Sequence, residues 1–553
     1  MSGAQYSKKQ DLLKNINRRG FLLRASLLSS GIFLQGCLRK LHPKSAYKDI
    51  KGEIKGPNAK AGHLLRDKSP IAPPSHSHSV ETLIIGGGIA GLSAARWLKK
   101  NGYKQFELLE VEQEVGGNSR SGKNATSSFP LGAHYITTAN LHDKELIEFL
   151  HEHKVISHFE NNLPFYNPYF LVFDPEERLL INGQWQEGLV PDFGVPENDK
   201  KQIRSFLALV EELKKAKGTD GKYAFDVPLD NSSADSEFRQ LDKISFQSYL
   251  KDKGYTSPYL LWYLEYCCKD DFGQKLQAVS AWAGLHYFAG RKGIAANAEE
   301  NSVLTWPEGN GWLVERLASS VKEHIRGSSL AYEISETANG KMQVLVLDPE
   351  TDKVSAVIAD KVILTTPQYV TKRLLRQFER PNFHYDSLSY APWVTATITV
   401  NGMGSTKGAG LSWDNVAYNT PSVGYVNANQ QHLQTNENKK VLTYYLPLCD
   451  YQPQVSRLAA YSRSYEQWLD MIIPELEYMH PNITEMIEQM EVWLWGHGMI
   501  SPTVDYIWGG NREAGSAPIG NKIFFAHSDL SGISIFEEAF HQGIKAAKQL
   551  LES

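Results

Sequence analysis

The chain has 553 residues, of which 42% are hydrophobic and 22% charged, with 58 Lys or Arg against 62 Asp or Glu. That length supports two cores. The acidic excess argues against a nucleic-acid partner and against charge-driven adhesion to anionic lipid. Four Cys are sparse, and no Cys/His spacing fits a zinc site, so neither a disulfide framework nor a bound metal is expected.

The first 37 residues read as an address. N-R-R-G-F-L-L spans Asn17 to Leu23, an uncharged apolar run continues from Ala25 to Gly36, and Cys37 follows. A charged start, an apolar middle and a small residue before the cut make a secretory signal. Arg18-Arg19 with the following Phe and Leu resembles a twin-arginine export signal, and Leu34-Gln35-Gly36-Cys37 resembles a lipobox. This implies an exported, periplasmic-side protein, attached to a bacterial membrane by lipid on Cys37. The apolar run is too short to span a bilayer, which takes about 20 residues. Without residues 1–36 the chain carries 52 basic and 61 acidic residues, net −9. Residues 38–78, with five Pro and S-H-S-H-S from Ser75 to Ser79, are expected to form an extended, mobile tether.

The next stretch, E-T-L-I-I-G-G-G-I-A-G from Glu81 to Gly91, predicts a strand, a glycine turn and a helix. Gly86 suits the tight turn, Gly88 lets backbone approach a pyrophosphate, and Gly91 lets helix and strand pack closely. Ile89, Ala90 and Gly91 open the helix, where free N–H groups and the positive dipole end face phosphate. Glu110 closes the following apolar run, 19 residues after Gly91, placed to accept from a ribose hydroxyl.

Gly116 and Gly117 then select the nucleotide. E-V-E-Q-E-V-G-G-N-S-R-S-G resembles the FAD-binding signature of the flavin-containing amine oxidase and phytoene desaturase superfamily. The resemblance implies that Gly116, Gly117, Asn118 and Arg120 face the flavin side of the pyrophosphate, although the family usually has Arg where this chain has Asn118. Thr305–Leu317, Ala359–Leu375, Ser389–Val400 and Lys522–Leu550 resemble further family segments, in the family's order. They imply that Asp529 contacts the ribityl or phosphate region and that the helix opening at Phe536, Glu537 and Glu538 faces flavin N1 and O2. Glu537-Glu538-Ala539 stands where relatives have Glu-Gly-Ala, and Ile535 where amine oxidases often place an aromatic wall. No Cys lies in this segment, so noncovalent FAD is expected.

The implied fold class is α/β, a Rossmann-type FAD-binding domain with a discontinuous α+β substrate domain inserted in it. The FAD-binding parts are expected at 79–140, 305–381 and 506–553, and the substrate domain at 141–304 and 382–505. Within the latter, Asn182-Gly183 marks a hairpin, residues 200–215 and 463–473 read as helices, and Ser257 caps a helix opened by Pro258.

Three segments offer catalytic candidates. His134, in P-L-G-A-H-Y, is either a base or ring contact or a satisfied structural His. W-A-G-L-H-Y-F-A-G-R-K supplies His286, Tyr287 and Arg291, or else an aromatic core helix with a surface Arg-Lys end. W-L-W-G-H-G-M-I-S-P supplies Trp495 and His497, near substrate or plain core. Lys269-Asp270-Asp271 reads as a solvated turn. The resemblance implies a FAD-dependent oxidoreductase that removes a hydride from a small amine, amino acid or related molecule. A polyene desaturase or isomerase, and a non-catalytic binding or assembly lipoprotein, remain open. So do the electron acceptor (dioxygen, a quinone or a protein) and the oligomeric state.

Overall fold

The computed structural model describes residues 47, 49–433 and 438–553, so the export signal and Cys37 lie outside the described residues. The chain is ordered well before the expected end of the tether. Strand β1 (Ile54–Lys55) pairs in parallel with a late strand through Ile54↔Val492 and Lys55↔Trp493. Helix α1 (Ala59–Asp67) is capped by the Asn58 side chain, which accepts from the Ala61 amide. Ala61 and Leu65, four residues apart and so on one face, are buried in a core. The extended tether is therefore corrected from Ile50 onward. Pro and polar residues between the anchors concealed two short apolar contacts.

Strand β2 (Ser77–Ile85) ends in four consecutive buried residues, because a central parallel strand is covered on two faces. Helix α2 (Ile89–Lys100) follows the glycine turn, then strand β3 (Phe106–Leu109). Strands β4 (Glu177–Ile181) and β5 (Gln184–Glu187) form the expected hairpin, with positive φ at Asn182 and Gly183 as a two-residue type I′ turn requires. Helix α3 (Glu197–Lys215) comes next. Helix α4 (Pro258–Phe272) starts at the Ser257 cap, whose hydroxyl accepts from the Leu260 amide, and stops at Gly273 in the left-handed conformation. Helix α5 (Ala281–Ala289) is apolar nearly all round and buried. The later elements are β6 (Val354–Leu364), β7 (Tyr390–Asn401), β8 (Asp414–Ala417), β9 (Lys439–Pro447), α6 (Pro453–Ser462), α7 (Tyr465–Met479), β10 (Ile487–Ile500) and α8 (Phe536–Glu552).

Two sheets organise residues 50–553. The first runs 325–326, β3, β2, β6, 342–347, 330–336, with the strand Ile523–Phe525 also on β6. Its β3–β2–β6 centre is parallel. Helices α2 and α8 cover one face, and α1 with the antiparallel strands closes the other. The second sheet runs β1, β10, β7, β9, 425–427, β8, β4, β5. Its inner face carries Trp393, Trp413, Tyr445 and Trp495, which pack with Tyr266 of α4. This is the α/β class expected, with the glycine turn at the carboxyl end of the central strand, where open α/β sheets hold their ligands.

Candidate functional site

The glycine turn has the geometry of a nucleotide cradle. The Gly86 amide donates to the Leu109 carbonyl (2.8 Å), and the Thr365 hydroxyl donates to the carbonyls of Ile85 and Gly86 (2.9 and 2.7 Å). A Cβ on Gly91 would stand 1.9 Å from the Gly86 carbonyl oxygen, so helix and strand touch there. A Cβ on Gly88 meets nothing within 4 Å, and no side chain caps α2 at that residue. The open space and the uncapped amides at Ile89, Ala90 and Gly91 fit a phosphate group. Gly116, at φ +127°, donates its amide to the Gly87 carbonyl (2.8 Å), and Gly117 lies against Gly88. Glu110 accepts from the amides of Gly87 (2.7 Å) and Glu112 (2.9 Å), and burial raises its pKa.

Arg120 stands beside this turn with a buried Nε that has no hydrogen-bond partner. Its guanidinium lies over Trp493 and Trp495 (5.9 and 6.0 Å to the ring centroids) and approaches Glu112 at 3.4 Å. An orphaned guanidinium nitrogen next to an open glycine cradle fits an anionic diphosphate.

The side chains of several expected contact residues are held by the protein itself. The Asn118 side chain donates to the Gly498 carbonyl of β10, which leaves only its backbone facing the turn. Asp529 is 1% exposed and accepts from the Gln368 amide (2.7 Å) and the Tyr390 hydroxyl (2.6 Å), with His527 3.0 Å away. Burial alone would raise its pKa, but His527, Tyr390 and the Gln368 amide hold it below the ordinary carboxylate value. Its carboxylate thus braces two sheets. Phe536 packs in the core against Phe540, so only its backbone can face a ligand. Glu537 is buried toward Arg291, and Glu538 accepts from the Leu229 amide (2.6 Å), burial pushing its pKa up to about 7.

The turn 130–135 leads from this cradle to a cluster of aromatic rings and carboxyls (the chamber), and nearly every carbonyl of the turn is held. Trp495 Nε1 and the Thr395 hydroxyl donate to Leu131 O (2.8 and 2.9 Å), and the Tyr445 hydroxyl donates to Gly132 O (2.9 Å). The Asn310 amide donates to Ala133 O, the Thr305 hydroxyl to His134 O, and the Asn310 side chain to Tyr135 O. The Ala133 amide donates to Asn118 O, which ties the turn to the cradle. Trp495 is therefore a positioning residue. His134 sits among Tyr445 (4.7 Å), Tyr135 (5.1 Å) and Trp413 (5.5 Å), and burial pushes its pKa down to about 4. It is neutral at pH 7.

His286 does not join this group. Its ring is 3% exposed, stacks on Trp282 (4.9 Å) and hydrogen-bonds the Asp226 carbonyl at 2.7 Å, so it is a satisfied core histidine.

The chamber's chemistry comes instead from the run read as a solvated turn. Lys269-Asp270-Asp271 forms the last turn of α4, with Asp271 buried and Lys269 and Asp270 half-buried. Tyr135 OH donates to Asp270 at 3.4 Å. Burial, with Asp271 beside it, pushes Asp270 up to about 7. Asp271 pairs with Arg291 at 3.0 Å, and Arg291 also lies over Tyr287 (5.1 Å). Across the chamber Tyr266 OH donates to Asp414 (3.3 Å), whose pKa is well above its ordinary value through burial and the nearby Glu177. Asp270, Asp271, Asp414 and Glu177 thus face one another's fields, and Arg291 pairs with Asp271 alone. A sequence signal existed. Tyr259, Trp262, Tyr263, Tyr266 and Asp270 recur at helical spacing and form one stripe on α4.

A glycine cradle, an orphaned arginine and a cluster of aromatic rings and carboxyls together fit a dinucleotide-dependent oxidoreductase. Residues 89–551 match the flavin-containing amine oxidoreductase family, and the chain belongs to that family of FAD-dependent oxidoreductases. Among solved structures it is similar to putrescine oxidase bound to putrescine, with 16% identity and a TM-score of 0.62 over 86% of this chain and 100% of that one. It is similar also to cyclohexylamine oxidase from Brevibacterium oxydans IH-35A, with 15% identity and a TM-score of 0.57 over 86% of this chain and 99% of that one. A curated relative, mitochondrial dimethylglycine dehydrogenase of Mus musculus, is 32% identical over 83 residues, which span 15% of this chain and 9% of that protein.

Proposed function

We propose that this chain oxidises a small cationic amine in the chamber between the 130–135 turn and α4. The observation that carries the reading is the cluster of four carboxyls, Asp271 buried and Asp270, Asp414 and Glu177 half-buried, with one guanidinium among them, beside Tyr135, Tyr266, Tyr287, Trp413 and Tyr445. An uncharged hydrocarbon there would leave desolvated carboxylates without a counter-ion, whereas an ammonium compensates them. Aromatic faces add cation–π attraction. A polyene substrate fits this lining poorly.

Gly86, Gly88, the amides of Ile89, Ala90 and Gly91, Glu110, Gly116, Gly117 and Arg120 would hold FAD, with the backbone of α8 at Phe536 and Glu537 at its flavin end. FAD supplies a hydride acceptor when bound. Asp270 binds the substrate ammonium once ionised, and Tyr135 orients Asp270. His134, neutral, closes the chamber against water and offers a hydrogen bond without adding a positive charge that would repel substrate. Trp495 and Thr395 fix the turn that carries His134 and Tyr135.

The test is an anaerobic titration of the flavin absorption band with mono- and diamines, amino acids and polyenes. Amines are expected to bleach it. Bleaching by polyenes alone, or by no compound in a flavin-loaded protein, overturns the reading.

A further inference from the structure

Helix α6 turns large apolar side chains outward. Val455 is 54% exposed, Leu458 65% and Tyr461 52%, and Tyr451 just before the helix is 72% exposed. The spacing puts them along one side of a single helix, whose other side buries Ser456 and Ala460 and sends Arg457 to the Gly496 carbonyl, with the Tyr461 ring edge resting on Gly496. From Tyr451 to Tyr465 the sequence holds no acid and two arginines, Arg457 and Arg463, in a chain whose net charge is negative. Met471 and Tyr478 of α7 are also exposed. Such a face is unusual on an acidic protein and points to a partner.

The chain's route says which partner. Residues 51–55 run along the edge of β10, where Gly52 lies against Tyr465 and the Met490 carbonyl. Ile54, Lys55, Gly56 and Pro57 line a 530 Å³ hollow together with Tyr461 and Arg463. Residues 51–57 thus lie beside the junction of α6 and α7. Twelve residues lie between Cys37 and Ile50, a reach of at most about 45 Å when fully extended.

We propose that α6 lies in the plane of a bilayer interface, with Tyr451, Val455, Leu458 and Tyr461 entering the headgroup–acyl boundary. It would serve as the second membrane signal beside the lipid on Cys37, and this rests on reading Cys37 as the attachment point. Lipid on Cys37 would hold the chain at the membrane through a mobile link, and an apolar helix face adds a second contact that fixes how the protein sits on it. Tyrosines suit that depth, with an apolar ring and a wet hydroxyl. Among the described residues no helix is long and apolar enough to cross the membrane, so the contact is interfacial.

The test uses the full chain with Cys449→Ser and Leu458→Cys, the new thiol carrying an environment-sensitive fluorophore, mixed with phosphatidylethanolamine–phosphatidylglycerol vesicles. The expected result is a blue-shifted emission that spin-labelled lipids quench, while the same label at Glu323→Cys stays aqueous. Val455→Glu with Leu458→Glu should weaken vesicle affinity about tenfold or more and leave flavin content unchanged. A vesicle-bound chain whose 458 label remains in water overturns the proposal and leaves the lipid-anchor reading standing. A Cys37→Ser chain whose 458 label still enters the membrane shows that α6 meets the bilayer without the lipid and supports the proposal. A blue shift without lipid that grows with protein concentration assigns the face to a second copy and overturns it.

Discussion

Gly88 and Gly91 lie three residues apart in one turn, yet a side chain at each meets different surroundings. At Gly91 it would overlap the Gly86 carbonyl, and at Gly88 it meets no protein atom. Gly88→Val is therefore expected to leave the apoprotein's stability within about 1 kcal/mol of wild type while removing the flavin absorption band. Gly91→Val should destabilise the apoprotein itself. Equal flavin retention in Gly88→Val would place the cofactor elsewhere. Asp270 offers a second contrast. With a folded-state pKa of about 7 against 3.8 unfolded, it retains protons that the unfolded chain has released. Stability linked to it is full below pH 3.8 and is lost as pH rises through 7. Asp270→Asn should thus stabilise the apoprotein at pH 8, on the order of 1–2 kcal/mol, with no gain near pH 3. The same variant should lower kcat/KM for a diamine about 10- to 100-fold. In wild type that parameter should climb with pH through about 7 as the carboxyl ionises. Chemical denaturation and steady-state kinetics across pH 5–9 check both signs.

The element scale separates what the sequence declares from what it hides. The strand–glycine–helix unit is legible because each glycine answers a local need, and the Asn182-Gly183 hairpin and the Ser257-Pro258 helix start are legible for the same reason. Long-range contacts leave weaker marks. Helix α1 buries only Ala61 and Leu65 within a Pro-interrupted polar stretch, and β1 is two residues long. Both exist because distant strands receive them, so local composition suggested a tether. The Lys269-Asp270-Asp271 run looks like a solvated turn, because burying adjacent carboxyls makes sense only once Arg291 and Tyr135 are seen beside them. His286 and Trp495 showed their residue types in the sequence and not their partners. Leu65→Ala tests the corrected element. A tether leucine would tolerate the change, whereas the packed one should cost about 3 kcal/mol, measured by urea unfolding. Helix α8 carries a related constraint at Gly543, where a Cβ would stand 2.1 Å from the Ala90 carbonyl. Gly543→Val should push α8 off α2 at the cradle and release flavin without touching any residue of the turn.

On the scale of residues 50–553, the cradle and the chamber belong to different sheets, so their alignment depends on the hydrogen bonds that cross between them. Asn118 to Gly498, Trp495 and Thr395 to Leu131, and Tyr445 to Gly132 are four of these. Asp529 is the charged one. It lies after the strand 523–525 of the first sheet and accepts from the Gln368 amide and from Tyr390 at the start of β7 in the second. Its folded-state pKa lies below 3.8, so its stabilisation is present above pH 3.8 and is lost as pH falls through the lower value. Removing one partner of a buried charged network costs about 3–5 kcal/mol, and here the loss should appear in both sheets together. Asp529→Asn is expected to lower stability by about 3 kcal/mol at pH 7, with flavin release and tryptophan exposure shifting to the same lower urea concentration. The gap from wild type should narrow as pH falls below 3.8, where the unfolded chain's carboxyl takes up a proton, until the native carboxylate too is protonated at the lower value. A gap that stays constant from pH 7 to pH 3 would mean that shape rather than charge holds the sheets in register. Separate transitions for flavin and tryptophan would mean that the cradle opens without the chamber.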